Sequence, residues 1–528
     1  MTRQSAELYQ VFILCVLLSC IASWIIAHRY RRRMQRLMRA PAPEDSRFST
    51  PSATDATADR PLGASVSLAA NRAAAMRLTI LLIALSCLLA GTSASVFSAL
   101  MFPDEPLMPW RVIPIAVLHL WPVVPALAVM WRWSRARFVG TLLLWCAATW
   151  VVLFAIGVWR QIDMGPVLVL QIMASEIGLS FVLLSLVFLG EATRAIAPWL
   201  LAPTALLASS SLAGVQAMVS IGEGQRPALT SLMTLFDPLL GWVPWYGVLL
   251  LFVLLPWVLA WWPARVLGRA LGRAYSGKWF SDLLATYTAV WAFSLTDRAL
   301  TVATQADAGP AAAAMYLPLL WIPAVMWSAA RRRPVSDRPP TLLVLRVFQQ
   351  DAQARSLFDH VVERWRLSGN TVMIAGTDLA DRTLDADDIF QFLDRKLARR
   401  FILSAADVAR SIDEFDMVAD IDGRYRVNEC YCHDTTWQAA LQALVRHTDV
   451  VLMDLRGFQA QNAGCRYELA TLARAPRTLR VVVLVDVRTD CGAAQEAIGS
   501  GQRERFIWID ASAFDASKRR EVLARLFA

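Results

Sequence analysis

The chain has 528 residues, of which 56% are hydrophobic and 18% charged, with 21 tryptophans and a net charge of +9. That composition excludes an ordinary soluble globular protein and a disordered one, because so apolar a chain needs lipid or a very large core. The charge is uneven: residues 341–528 hold 25 of the 52 basic and 27 of the 43 acidic groups, leaving a strongly basic, apolar first part. A membrane domain over 1–335, a short linker at 336–340 and a soluble domain over 341–528 are expected.

In chain order, stretches of about 20 mostly apolar residues lie near 8–27, 77–100, 112–131, 138–159, 166–190, 195–216, 239–262, 283–305 and 310–330. Asp297 and Arg298 interrupt the eighth. Basic loops follow the odd-numbered stretches ("HRYRRRMQRLMR", "RWSRAR", "ARVLGRALGRAYSGK", "RRRPVSDR") and hardly any charge follows most of the even ones. The positive-inside rule then predicts nine spans, an external N-terminus and a cytoplasmic C-terminal domain, as in an integral protein of a bacterial inner membrane. The first stretch does not read as a cleavable signal, since its charge cluster follows the apolar run.

Residues 28–76, rich in Pro, Ser, Ala and Thr after the basic cluster, are expected to form a flexible cytoplasmic loop. Arg265, Arg269 and Arg273, four residues apart within 264–279, suit anionic lipid headgroups beside the bilayer. Ionisable residues inside the stretches (His119, Glu176, Asp237, Asp297, Arg298) are functional candidates by default. The absence of an obvious internal repeat favours a sensor or anchor over a transporter.

The soluble part alternates strands and helices. Strands are predicted at 341–348, 371–376, within "DVVLMDL", at 480–486 and at "RFIWID". Helices are predicted from about Asp351 to Leu367, from Asp385 as N-cap, over "TTWQAALQALVRHT", over "NAGCRYELATLARA" and at the C-terminus. Between 403 and 433 an irregular insertion is expected to hold a hairpin with Gly423 in its turn. Its "CYCH" (Cys430, Cys432, His433) lacks a second pair of ligands, so no metal is expected. Continuous apolar strands separated by helices indicate a mostly parallel, doubly wound α/β sheet, which binds ligands beyond the carboxyl ends of its strands.

One helix poses a question. At 100° per residue, Cys465, Leu469 and Leu472 of "NAGCRYELATLARA" share a narrow arc with Glu468 beside it, while Arg466, Ala470 and Arg474 point away. A carboxylate on a core-facing side needs a partner or a task.

"GCRYEL" (Gly464 to Leu469) resembles the "WCxxEL" signature of TIR domains, with Gly464 in place of Trp, and "LRVFQQDAQARSLF" resembles the first TIR strand and its turn. Nucleoside deoxyribosyltransferases carry a similar Gly…Glu helix. The resemblance spans about 150 residues and implies a flavodoxin-like fold. It also implies that Glu468 is catalytic in cleaving the N-glycosidic bond of NAD or a related nucleotide, with NAD a substrate rather than a cofactor. Arg346, Phe348, Asp454, Arg456 and Asn462 are the expected substrate-binding residues, the arginines toward phosphates and Phe348 toward a base. Expected partners are the bilayer, a nucleotide and a second α/β domain, with no nucleic acid. A non-catalytic nucleotide-binding or TIR-type interaction module, or a transporter with a regulatory domain, remain alternatives.

Overall fold

The computed structural model describes residues 3–40, 66–161, 165–222, 244–306, 308–333, 338–347, 351–375, 386–475, 480–500 and 503–528. They form two compact units, one of Met1–Ile26 with Leu82–Val325 and one of Ala27–Leu81 with Met326–Ala528.

The first unit is helical. Its helices lie within α1 (Arg3–Arg39), α2 (Leu68–Met101), α3 (Pro109–His119), α4 (Val123–Met130), α5 (Arg135–Trp159), α6 (Pro166–Leu189), α7 (Glu191–Gly222), α8 (Trp245–Ser276) and α9 (Asp282–Gln305). A 3-10 stretch (Gly309–Leu320) and α10 (Trp321–Arg331) follow, the latter running on into the second unit. Among the described residues eight helical segments, with α3–α4 and the last two elements each counted as one, are long and apolar enough to cross a membrane. That makes the chain compatible with an integral membrane protein.

The eighth expected span, the one interrupted by Asp297 and Arg298, is a different kind of element. α9 forms over 24 residues but is not among the eight. Its buried residues include Leu284, Tyr287, Trp291, Asp297 and Arg298. A helix wrapped by other helices meets side chains rather than lipid, so it tolerates the polar residues that a lipid-facing span does not. Elsewhere Gly214 lets α7 pass against the backbone of α8, where a Cβ would meet the carbonyl of Phe252.

The second unit is built on a seven-stranded, wholly parallel sheet of β1 (Thr341–Arg346), β2 (Asn370–Ile374), β3 (Phe401–Ile402), β4 (Val427–Cys432), β5 (Val450–Asp454), β6 (Arg480–Val485) and β7 (Phe506–Asp510), in the order β3-β4-β2-β1-β5-β6-β7. Alternate residues feed two cores. Leu343 and Leu345 pack with α14 (Trp437–Arg446), α15 (Ala463–Arg474) and α16 (Cys491–Ile498). Leu342 and Val344 pack with α11 (Asp351–Leu357, continuing through a π turn to Trp365) and α17 (Ala516–Leu526). Helices on both faces make the sheet doubly wound.

The insertion corrects in part. The turn forms, with Gly423 at φ 88° and Gly423 N–H donating to the Asp420 carbonyl at 2.8 Å. No strand lies between β3 and this turn, and the following residues become β4, paired in parallel with β2 and β3 rather than folded into a hairpin. α12 (Ala386–Leu393) and α13 (Ala405–Asp413) flank β3, and Asp385 lies outside the described residues. Cys430 and Cys432 are buried on β4, and burial pushes the Cys430 thiol up to about 12.

The loop expected over 28–76 is helical at both ends, to Arg39 and from Leu68, while residues 41–65 lie outside the described residues. The reason is an apolar stripe hidden among the arginines. Tyr30 and Met34, one turn apart, are buried in the second unit. The Tyr30 hydroxyl lies 3.4 Å from that of Tyr431, and His433 Nδ1 donates to the Leu37 carbonyl at 2.8 Å, satisfying a helix-end acceptor. At the start of α2, Asn71 Nδ2 donates to the Arg364 carbonyl at 2.7 Å and to Ser368 Oγ at 2.8 Å. Residues 336 and 337 of the linker lie outside the described residues.

Candidate functional site

After β1 the chain moves to one side of the sheet, through β2 to the β4–β3 edge, and then returns to place β5 against the other side of β1. The direction of winding reverses there, and at such a point the loops beyond the two strands diverge and leave a crevice. The strands end level, with Arg346 in register with Asp454.

Beyond β5 the backbone turns through Leu455–Phe458, with Gly457 at φ 75°, into α15. Asp486, just past β6, accepts from Gly457 N–H at 2.9 Å and fixes that turn. Burial pushes the Asp486 carboxyl up, but the bonds from Gly457, Arg488 and Thr489 outweigh it and hold it below the ordinary value. Asp486 was not among the expected residues. Its signal was an Asp at the end of an apolar strand, the same pattern that marked Asp454.

Asp454 and Arg456 bind each other. Arg456 Nε donates to Asp454 Oδ1 at 2.8 Å and Nη2 to Oδ2 at 2.6 Å, with a further bond to the Gln353 carbonyl at 3.1 Å. The guanidinium lies over the Phe514 ring, 4.8 Å from its centroid, and both charged side chains are almost fully buried. The fork is thereby engaged inside the protein. Asn462 stands half-buried just before α15 without a side-chain cap to the helix, and its Oδ1 accepts from Gln459 N–H at 2.7 Å.

Glu468 falls on the inward side of α15 with Cys465, Leu469, Leu472 and Ala473, while Arg466 and Arg474 are exposed. It is 4% exposed, and its Oε2 has no hydrogen-bond partner among the described residues. Burial raises its carboxyl to about 8, and the Arg346 charge lowers it by less. Burial also raises the Cys465 thiol, and the charges of Glu468 and Asp454 add to the effect, which places all three groups together.

The structure therefore brings Arg346, Asp454, Arg456 and Glu468 to one end of β1 and β5, with Asn462 at the neighbouring helix start. Phe348, also expected at this site, lies outside the described residues. Chemically, the arrangement offers a dry carboxyl held proton-bound at neutral pH, one neighbouring guanidinium and a locked ion pair. No family model, curated protein or solved structure matches this chain.

Proposed function

We propose that the α/β unit binds a nucleotide beyond the ends of β1 and β5 and that Glu468 acts on its N-glycosidic bond, in a TIR-like manner and on a flavodoxin-like sheet. The observation that carries this reading is the Glu468 carboxyl, buried at the reversal of the sheet with Oε2 unpartnered among the described residues. A structural glutamate would be expected to spend both oxygens on partners. The five strands β2-β1-β5-β6-β7 follow the flavodoxin-like order, which supports the fold assignment. Where the TIR signature has Trp, Gly464 faces the Trp437 ring of α14, at 3.9 Å from where its Cβ would stand.

With NAD as substrate, the bond between ribose C1′ and the cationic nicotinamide nitrogen breaks, and its electron pair leaves with neutral nicotinamide. Positive charge develops on the ribose, and the Glu468 carboxylate balances it. Water adds to C1′ and releases a proton, giving ADP-ribose. The cationic ring of the bound substrate favours the ionised carboxyl, offsetting the burial that keeps it protonated when the site is empty. Arg346 is placed to hold the ionised form.

The test is incubation of the purified full chain with NAD, with nicotinamide measured. Glu468→Gln is expected to lower turnover at least about a hundredfold with the fold intact. Equal turnover in the two proteins sinks the catalytic role. A second reading, a nucleotide-binding module without catalysis, draws on the Asp454–Arg456 pair, which is internal and rigid. It requires nucleotide binding with no release of nicotinamide.

A further inference from the structure

Outside that site, the helical unit buries a second set of charges. Arg298 on α9 is 1% exposed, and none of its three guanidinium nitrogens has a hydrogen-bond partner among the described residues. Asp297, its neighbour in sequence, is 5% exposed and is supported by Ser180 of α6. Glu176, one turn earlier on α6 and near its middle, is half-buried and lies within electrostatic reach of both Arg298 and Asp297. From the third side comes His119, 1% exposed, with Nδ1 2.6 Å from Ser93 Oγ and the Arg298 charge within reach. His119 ends α3, where the third span breaks before α4.

Around α9 and α6, no Asp, Glu, Lys or Arg occurs in α4, the 3-10 stretch, residues 195–222 of α7, residues 10–27 of α1, residues 78–101 of α2 or residues 138–159 of α5. Tyr316 of the 3-10 stretch donates its hydroxyl to Thr296. The balance is therefore simple. Among the described residues, Arg298 and Asp297 cancel, His119 is engaged with Ser93, and Glu176 is the charge left over. An uncompensated charge in an apolar bundle costs several kcal/mol, and a carboxylate removes that cost by taking a proton. Arg298 is buried, whereas Glu176 is half-buried.

We propose that Glu176 is a proton-exchange site of the helical unit, coupled to Arg298. A proton from bulk water adds to a Glu176 carboxylate oxygen, and no other bond changes. With Glu176 protonated, Arg298 belongs to Asp297 alone. With Glu176 ionised, the two carboxylates on α6 and α9 compete for one guanidinium, which favours a different packing of those helices. The break beside His119 gives the bundle a place to yield, as discontinuous helices do beside buried ion sites.

The experiment is infrared difference spectroscopy on the full chain in lipid vesicles, titrated between about pH 5 and about pH 9. A Glu468→Gln background removes the raised carboxyl of the α/β unit. The expected result is a protonated-carboxyl band that titrates and disappears in Glu176→Gln. Glu176→Asp should keep a band at a different frequency, and Arg298→Lys should move its midpoint. A titrating band unchanged in Glu176→Gln, or no titrating band in the Glu468→Gln background, overturns the proposal. If Glu176→Gln does not fold, a Glu176→Asp band identical to that of the Glu468→Gln background overturns it as well.

Discussion

The Arg346 guanidinium acts on the Glu468 carboxyl, yet burial keeps that carboxyl at about 8. Desolvation thus outweighs a neighbouring positive charge, and the consequence is a stability that depends on pH. The ordinary value of 4.5 applies when the chain unfolds. Between the two values the native state holds a proton that the unfolded state has lost, so this group reduces stability as pH rises through the window, and the loss levels off above about 8. The slope is at most about 1.4 kcal/mol per pH unit.

Glu468→Gln removes that dependence. Thermal melts of the variant and the unmodified protein should diverge from about pH 5 upward, the variant gaining relative stability toward about pH 8. Parallel curves would contradict a buried, proton-bound Glu468.

The Asp454–Arg456 pair predicts a cost of another kind. Arg456→Ala leaves a buried carboxylate without its fork and should destabilise the α/β unit by about 3–5 kcal/mol. Nucleotide binding should then fall only as far as folding does. Binding lost with the melting temperature unchanged would mean that Arg456 reaches a phosphate instead.

Tyr30 and Met34 make the end of α1 part of the second unit's core. Tyr30→Ala should cost about 3 kcal/mol and speed hydrogen exchange in β4, where Tyr431 lies opposite. For the same reason a fragment starting at residue 336 should melt below the intact chain. Equal exchange rates in β4 would show the contact to be dispensable.

At Gly214 the constraint is steric. Gly214→Leu forces α7 away from the Phe252 carbonyl of α8 and should lower the melting temperature in detergent, by about 1–3 kcal/mol of stability. The check is a side-by-side melt with Gly178→Leu on α6, which meets only Ala174 at 3.9 Å.

What could be read from the chain followed the strength of each residue pattern. β1, β5 and β6 are apolar runs bounded by turns and needed no tertiary knowledge. The 100° arc alone placed Glu468 on the core side of its helix. β4 reads from the sequence only as one arm of a hairpin, because "VNECYC" mixes Asn and Glu with buried cysteines, and its place in the sheet comes from pairing with β2. Tyr30 and Met34 were masked by the arginines around them. The Asp454–Arg456 bond is open to inference, since residues two apart at a strand end share a face, whereas pointing Arg456 outward to a phosphate leaves that contact out.

Cys430, Cys432 and Cys465 are sealed in the sheet and its covering helix, while Cys87 and Cys491 are exposed. A thiol reagent reacts with the thiolate, and burial denies these three both access and ionisation. Their alkylation must therefore wait for the α/β unit to open, whereas Cys491 reacts at once. The chain carries its own clock for local unfolding: mass spectrometry of the labelled cysteines, timed after mixing, reports how often the sheet breathes without a single substitution.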